Sequence, residues 1–142
     1  MLLTAAVAAA WLMGRHYPLA WPGFDDLPAR VVGWSLGLAG VLLLAWAGRA
    51  LARHRTTILP HRAASALVTD GPYRHSRNPI YLADVLILLG LAELTKNVWF
   101  VLFAATFAAL VTWLAILPEE RHLEARFGEA WLDYARRTRR WI

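Results

Sequence analysis

Two uninterrupted apolar stretches constrain the fold of this chain more than any other feature of its sequence. Val31 to Gly48 and Val98 to Leu117 contain no ionisable side chain. At about 1.5 Å of rise per helical residue, stretches of close to 20 residues cross a hydrocarbon layer roughly 30 Å thick. Because 58% of the 142 residues are hydrophobic and eight are Trp, we expect an integral membrane protein rather than a soluble domain.

Two further segments are predicted to cross the membrane. Residues 2–14 are apolar but short, and no basic residue precedes them as in a signal peptide. Residues 79–94 contain Asp84 and Glu93, so this helix needs neighbouring helices, most simply a hairpin with the following span through the turn at 95–97. We therefore expect an all-α fold, a single domain over 1–142, with about four transmembrane helices at 2–14, 30–49, 79–94 and 98–117.

The distribution of basic residues predicts the orientation. Segment 49–78 carries six arginines against one acid, Asp70, and the chain after Pro118 carries six more arginines. Between the first and second spans lies Arg15, and between the third and fourth lies Lys96. The positive-inside rule therefore places segment 49–78 and the C-terminus in the cytoplasm, with the protein in the inner, cytoplasmic membrane. Since the arginines fall between and after apolar runs, the net charge of +5 does not indicate a nucleic-acid partner.

The C-terminal part of the chain has the pattern of an amphipathic helix. Leu123, Phe127, Trp131 and Tyr134 recur at helical spacing, and the residues between them are mainly Glu, Arg and Asp. The pattern predicts one helix over 118–140 that packs on the membrane surface or over a site.

The stretch DGPYRHSRNPIYLAD, residues 70–84, places arginines, a histidine, an asparagine and two prolines directly before and at the start of the third predicted span. Asn78 followed by Pro79 predicts a helix start, because Asn caps free N–H groups and Pro fits the first helical position. Arg74 and Arg77 lie close to this start. A helix N-terminus beside guanidinium groups can bind an anion, either a lipid phosphate or a cofactor carboxylate.

Three acids are candidates for the same site. Glu119 and Glu120 follow the fourth span and are predicted to lie on the same membrane face as the arginines; they can complement the helix dipole or hold a cationic group. Asp84 lies inside the third span, where an acid is costly, so we expect it to face the bundle interior. Whether Asp84 meets substrate, cofactor or an arginine stays open.

Other site classes are not expected. The chain contains no cysteine, and its histidines lack the spacing with carboxylates that is typical of metal sites, so no metal is predicted. The glycines at 33, 37 and 40 lie within an apolar span and precede no phosphate-binding loop. Helix packing is their expected role.

The motifs SALVTDGPYRHSRNPIYL and EERHLEARFGEAWLDYARR, in this order, resemble the isoprenylcysteine carboxyl methyltransferase and phospholipid methyltransferase family of integral membrane enzymes. The resemblance runs from about Thr57 to the C-terminus. It implies a helical membrane methyltransferase that binds S-adenosylmethionine at the cytoplasmic ends of the last two spans, under the C-terminal segment, and releases S-adenosylhomocysteine.

The resemblance also implies site residues. Glu119, Arg77 and Tyr81 are the implied catalytic residues, with Glu119 as the direct cofactor ligand. Asp84 is a candidate substrate residue because of its place inside the third span, and the resemblance does not assign it a role. The implied cofactor-binding set is Leu67, Val68, Tyr73, Arg77, Asn78, Pro79, Ile80, Tyr81, Glu119 and Glu120. Two positions depart from the family pattern. Asn78 replaces the usual His, and Ala115 stands where prenylcysteine enzymes resemble one another in having a substrate-binding Arg.

The implied reaction is in-line displacement of the sulfonium methyl group, for which proximity and orientation matter most. The expected partners are membrane lipids and a lipophilic acceptor that reaches the site from the bilayer, either a lipid or a molecule like isoprenylcysteine carboxylate. Its acceptor atom and the oligomeric state of the protein stay open. Two other functions are considered, an NADPH-dependent membrane reductase of the sterol reductase type and a non-enzymatic module that binds anionic lipid.

Overall fold

The computed structural model describes residues 2–55 and 66–142, in which the regular elements are helices joined by turns and loops, and no strand is formed. The middle of the predicted cytoplasmic segment 49–78 lies outside the described residues, as does Thr57, where the family resemblance begins. The elements in chain order are α1 Leu2–His16, α2 Leu27–Arg53, a 3₁₀ turn Gly71–Arg74, α3 Pro79–Thr95, α4 Val98–Val111, one π-helical turn Thr112–Ile116, α5 Leu117–Phe127 and α6 Glu129–Arg137.

Among the described residues, two helices are long and apolar enough to cross a membrane. They are α2, with 27 residues, and the continuous helix Val98–Phe127, with 30 residues. They contain the second and fourth predicted spans. Helices α1 and α3 have 15 and 17 residues and coincide with the first and third predicted spans; their passage through the membrane and the α3–α4 hairpin stay predictions. Lys96, with a φ of 52°, lies in the short turn between α3 and α4.

The chain divides into two compact units. The first unit comprises Met1–Leu42 and Ala83–Ala109, and the second comprises Leu43–Leu82 and Leu110–Ile142. Helices α2 and α3 each contribute residues to both units.

In the first unit, glycines bring α2 and α3 into close backbone contact. A Cβ atom at Gly90 would lie 2.6 Å from the backbone nitrogen of Gly37 and 2.9 Å from the carbonyl oxygen of Gly33. A Cβ atom at Gly40 would lie 2.8 Å from the carbonyl oxygen of Ala83. Only glycine allows such an approach, which is the packing role predicted for the glycines of α2.

Polar contacts connect the loops of the first unit. The Asn97 side chain donates a hydrogen bond to the carbonyl oxygen of Ala10 at 3.1 Å. The Lys96 ammonium donates to the carbonyl oxygen of Phe24 at 2.8 Å. The turn between α3 and α4 is therefore tied both to α1 and to the segment that precedes α2.

The π-helical turn Thr112–Ile116 widens the helix just before Pro118. Proline has no N–H to donate, and its ring clashes with the carbonyl group four residues earlier, here that of Leu114. In this turn the Leu117 N–H bonds to the carbonyl oxygen of Thr112, five residues back. The wider turn lets the helix continue past the proline, and α5 carries the two acids beyond the apolar part of the helix.

The C-terminal helix predicted over 118–140 is instead two helices. Helix α5 ends at Phe127, and Gly128 adopts a φ of 52° before α6 begins at Glu129. This left-handed conformation suits glycine and interrupts the helix. The last helix ends at Arg137, after which Thr138 is extended. The apolar stripe thus crosses a break that hydrophobic periodicity does not reveal.

Candidate functional site

The second unit contains all but one of the predicted site residues. They come from the segment that leads into α3 and from the start of α5. The exception is Asp84, which is buried in the part of α3 that belongs to the first unit. The second unit is therefore where the geometry of a candidate site can be described.

A small apolar cluster supports the segment before α3. Ala50 and Leu51 of α2 are buried together with Val68, and Tyr73 and Ile80 pack against them. Three of the predicted cofactor-binding residues, Val68, Tyr73 and Ile80, thus belong to this apolar cluster, which supports the 3₁₀ turn Gly71–Arg74. Leu67, also in the predicted set, is half-buried.

The turn itself depends on Gly71. Its φ is 56°, and a Cβ atom there would lie 3.3 Å from the indole nitrogen of Trp46 and 3.4 Å from the Cβ atom of Ala50. Both the backbone conformation and the close approach favour glycine. The turn continues through buried Pro72, whose carbonyl oxygen accepts the N–H of His75.

Helix α3 starts as the Asn-Pro pair predicts. Pro79 is almost fully buried at the first helical position. The carbonyl oxygen of Asn78 accepts the N–H of Leu82 at 3.1 Å, which opens the helical hydrogen-bond ladder. The backbone N–H of Asn78 donates to the Ser76 hydroxyl oxygen at 3.2 Å.

Residues 138–140, here called the C-terminal strap, lie along this helix start. Ser76 and Arg139 form an isolated parallel bridge, in which the Arg77 N–H donates to the carbonyl oxygen of Arg139 at 2.9 Å. The side-chain amide of Asn78 donates to the carbonyl oxygen of Arg140, also at 2.9 Å. The residue that departs from the family pattern thus uses its amide to hold the strap.

Glu120 bridges two arginines. Its carboxylate accepts hydrogen bonds from Nη2 of Arg140 at 2.8 Å and from Nε of Arg140 at 3.1 Å. Nη1 of Arg77 lies 3.5 Å from the same carboxylate, and the side chains of Arg77 and Glu120 are each only 15% exposed. Such two-pronged arginine–carboxylate pairs are among the stronger hydrogen bonds in proteins.

Arg77 has one polar group left without a partner. Its guanidinium lies over the ring of Trp131, 5.9 Å from the ring centroid, within the range of a cation–π interaction. Its Nε is buried and has no hydrogen-bond partner among residues 2–55 and 66–142. A buried donor without an acceptor is costly, so an acceptor such as a carboxylate would be well accommodated at this position.

Glu119 differs from its neighbour Glu120. Burial raises the pKa of Glu119; His122 acts in the opposite direction, and Glu120 adds to the rise. Within the described part of the chain Glu119 forms no ion pair. Burial and then the charge of Glu119 raise the pKa of the Tyr73 hydroxyl. A half-buried carboxylate with a shifted pKa is a reasonable candidate for a functional group.

Two aromatic residues of α6 complete the surroundings. The Tyr134 hydroxyl donates to the carbonyl oxygen of Tyr73 at 2.7 Å, and the rings of Tyr134 and Trp131 meet edge to face at 5.6 Å. Burial raises the pKa of Tyr134 to about 12, so it is a neutral donor. The sequence places both aromatic residues on one stripe but does not indicate these partners, and nothing in it singles out Arg140.

The structure therefore unites most of the predicted residues without assigning their roles. Arg77, Asn78 and Glu120 share one network, and Tyr81 is half-buried one turn into α3. Among the described residues no group of three or more His, Cys, Asp or Glu is arranged to hold a metal ion.

Comparison with known proteins agrees with the resemblance seen in the motifs. The family model described as Phospholipid methyltransferase matches residues 28–130, which confirms that resemblance. The cobalt-zinc-cadmium resistance protein CzcN of Cupriavidus metallidurans is 36% identical over 132 residues, 93% of this chain and 56% of CzcN. The nickel-cobalt-cadmium resistance protein NccN of Alcaligenes xylosoxydans xylosoxydans is 32% identical over 115 residues, 81% of this chain and 52% of NccN. The chain thus spans about half the length of these relatives. No solved structure matches.

Proposed function

Because the chain belongs to the phospholipid methyltransferase family, we propose that it transfers a methyl group from S-adenosylmethionine to a lipophilic acceptor in the membrane. The family is one of methyltransferases, and two helices of this chain are suited to cross a bilayer. Both observations support a membrane methyltransferase. The cofactor, the acceptor and the side of the membrane on which the reaction occurs are parts of the proposal.

The buried, unpaired Nε of Arg77 is the observation that carries the proposal. The amino-acid part of S-adenosylmethionine has one carboxylate and one ammonium group. Arg77 offers a donor that lacks an acceptor, and Glu119 offers a half-buried carboxylate that no described cation pairs with. Arg77 and Glu119 thus have the charges that such a zwitterion needs, since Arg77 has an unused N–H donor and Glu119 has a carboxylate without an ion pair among the described residues.

The residues divide the work between binding and proton transfer. Arg77 and the amide groups at the start of α3 would hold the cofactor carboxylate, and Glu119 would hold its ammonium group. Bound S-adenosylmethionine supplies a methyl group on a positively charged sulfur, which makes the sulfur a good leaving group. A carboxylate or thiolate acceptor needs no base; an amine would have to lose its proton, with Tyr81 as the candidate base in the second unit.

The acceptor is proposed to be a lipid or a lipid-modified molecule that enters from the bilayer. The arginine-rich segments support a cytoplasmic site and a cytoplasmic C-terminus, in the inner membrane. Ala115 stands at the position of the substrate-binding Arg in the prenylcysteine enzymes that the sequence resembles. We therefore expect recognition of the acceptor by this chain to depend less on an acceptor carboxylate than it does in the prenylcysteine enzymes.

Calorimetry on the protein purified in detergent tests the cofactor. Binding of S-adenosylhomocysteine without binding of NADPH supports the proposal. Binding of NADPH alone would favour a reductase, and binding of neither, together with binding to vesicles of anionic lipid, would favour a lipid-binding module. Transfer of a labelled methyl group from S-adenosylmethionine into a membrane lipid extract then identifies the acceptor.

The names of the relatives favour a second, physiological proposal, namely that the methyl transfer contributes to resistance to cobalt, zinc or cadmium. We propose that this contribution is indirect and acts through a methylated membrane component, because the family is one of methyltransferases. A host that lacks the gene should become more sensitive to these ions, and wild-type protein but not Glu119→Gln should restore growth. Full restoration by Glu119→Gln would separate resistance from methyl transfer.

A further inference from the structure

We propose that Glu120 is a positioning residue and not a ligand of the cofactor. Its carboxylate joins Arg77 to Arg140 and thereby fixes both the guanidinium of the site and the C-terminal strap. The role of Arg77 toward a ligand rests on the proposed function, whereas the attachment of the strap does not.

The carboxylate of Glu120 is already engaged. Arg140 donates to both of its oxygens, at 3.1 Å from Nε to Oε1 and at 2.8 Å from Nη2 to Oε2. Nη1 of Arg77 lies 3.5 Å from Oε1. A cofactor ammonium would have to compete with these two guanidinium groups for the carboxylate of Glu120. Adjacent Glu119, which forms no ion pair within the described residues, meets no such competition.

The same contact orients Arg77. A guanidinium group is planar and its five donors have fixed directions. The ion pair of Nη1 with Glu120 and the cation–π contact with Trp131 therefore restrict where Nε points. Nε is the atom that lacks a partner, so Glu120 sets the direction of the donor that the proposed function assigns to the cofactor carboxylate.

The strap depends on the same carboxylate at its end. Its backbone bonds to the N–H of Arg77 and to the amide of Asn78, and the Thr138 hydroxyl donates to the carbonyl oxygen of Tyr134 at 2.7 Å. Two backbone hydrogen bonds alone hold a short segment only weakly, since each contributes about 1 kcal/mol. The Arg140–Glu120 pair adds the charged contact that holds the strap beside Arg77.

Proteolysis tests the attachment of the strap without any ligand. Trypsin should cut after Arg137 and Arg139 about tenfold faster in Glu120→Gln than in the wild type, the scale expected for loss of one charge-assisted hydrogen bond. The matched control is Arg121→Gln, which changes an exposed arginine next to Glu120 and should leave the rate unchanged. Equal rates in Glu120→Gln and wild type would overturn the attachment.

Ligand affinity tests the positioning role. S-adenosylhomocysteine carries a carboxylate and an ammonium group, and 5′-methylthioadenosine carries neither. Glu120→Gln and Arg140→Gln should each lower the affinity for S-adenosylhomocysteine about tenfold. Each variant should keep the wild-type affinity for 5′-methylthioadenosine. A general loss of folding would lower both affinities. The double variant should be no weaker than either single variant, and Arg140→Lys should recover much of the affinity.

A direct ligand would behave differently. If Glu120 bound the ammonium group, Glu120→Gln would lower the affinity for S-adenosylhomocysteine by the same factor in the Arg140→Gln background as in the wild type. Such additive effects would overturn the positioning role. If the wild type binds no adenosyl ligand, the positioning role falls together with the proposed function, and the trypsin rates still decide the attachment. A further outcome is that the wild type binds S-adenosylhomocysteine while the effects of Glu120→Gln and Arg140→Gln are additive and the rate of trypsin cleavage is the same in Glu120→Gln and wild type. In that case the roles inferred for Glu120 fail and the proposed function stands.

Discussion

The two compact units hold their segments together by different means. In the first unit, glycines let the backbones of α2 and α3 approach so closely that a Cβ atom at Gly90 would lie 2.6 Å from a backbone nitrogen. In the second unit, hydrogen bonds join residues far apart in sequence, 62 residues for Asn78 and Arg140 and 61 for Tyr73 and Tyr134. In the first unit close backbone packing joins α2 to α3 and hydrogen bonds join the loops, whereas in the second unit polar partners surround the candidate site, so substitutions at Gly90 and at the site should affect different properties.

Arg77→Ala should give the largest effect and act on ligand binding. It removes the unpaired donor, the contact with Glu120 and the stacking on Trp131. We expect affinity for S-adenosylhomocysteine to fall about 100-fold, or about 2.7 kcal/mol, measured by calorimetry. Arg74→Ala is the matched control, because Arg74 is exposed. Equal losses in the two variants would contradict a specific role for Arg77.

Gly90→Ala should instead act on the stability of the first unit. The added Cβ would clash with backbone atoms that cannot move aside independently, so we expect unfolding to become easier by about 1–3 kcal/mol in denaturant titrations in detergent. Gly37→Ala is the control, since a Cβ there meets nothing within 4 Å and alanine favours the helix. A Gly90→Ala variant as stable as Gly37→Ala would show that close packing is not what holds this unit.

The pH dependence of ligand affinity should isolate Glu119 in the second unit. Burial raises the pKa of this acid, so it takes up its proton at a higher pH than the ordinary value of about 4.3. As the pH falls through that raised pKa, the carboxylate that holds the ammonium group is lost and affinity should decrease, by about tenfold at full protonation. Calorimetry at successively lower pH, down to the range in which an ordinary glutamate titrates, should show this decrease in the wild type but not in Glu119→Gln. The same slope in both proteins would assign the titration to another group.

Tyr134→Phe should have the smallest effect. It removes one hydrogen bond, to the carbonyl oxygen of Tyr73, and keeps the edge-to-face contact with Trp131. We expect a loss of about 1 kcal/mol of stability, measured as for Gly90→Ala. A loss of stability as large as that of Tyr134→Ala would mean that the hydroxyl accounts for the whole contribution of this side chain, and no loss would mean that packing of the ring, not its hydroxyl, fixes the turn.

The sequence predicts the helices well, because apolar length is a local property. The stretches Val31 to Gly48 and Val98 to Leu117 lie within helices of the structure, and the Asn78-Pro79 start coincides with the first residue of α3. The break at Gly128 is not predicted, since apolar residues keep their helical spacing on both sides of it. A backbone conformation is decided by contacts that a periodic pattern does not contain.

The candidate site is predicted less completely, for a similar reason. The motif around Arg77 and the acids after the fourth span are visible as local clusters, and the family resemblance joins them. Arg140 is one of four arginines in the last seven residues, and charge alone does not distinguish it from the others. Its pairing with Glu120 follows from the strap's position beside Ser76, which only the fold provides.

The π-helical turn Thr112–Ile116 changes the direction, about the helix axis, in which the following residues of the long helix point. A turn with hydrogen bonds that span five residues contains about one residue more than an α-helical turn, so everything after it is rotated by about 100° relative to an uninterrupted α-helix. The π-helical turn therefore separates two properties of the helix. The residues before it form the apolar surface, and the turn decides in which direction Glu119 and Glu120 point after it. Two enzymes could share the same membrane-spanning surface and yet aim different residues of α5 at their sites, simply by gaining or losing this one residue.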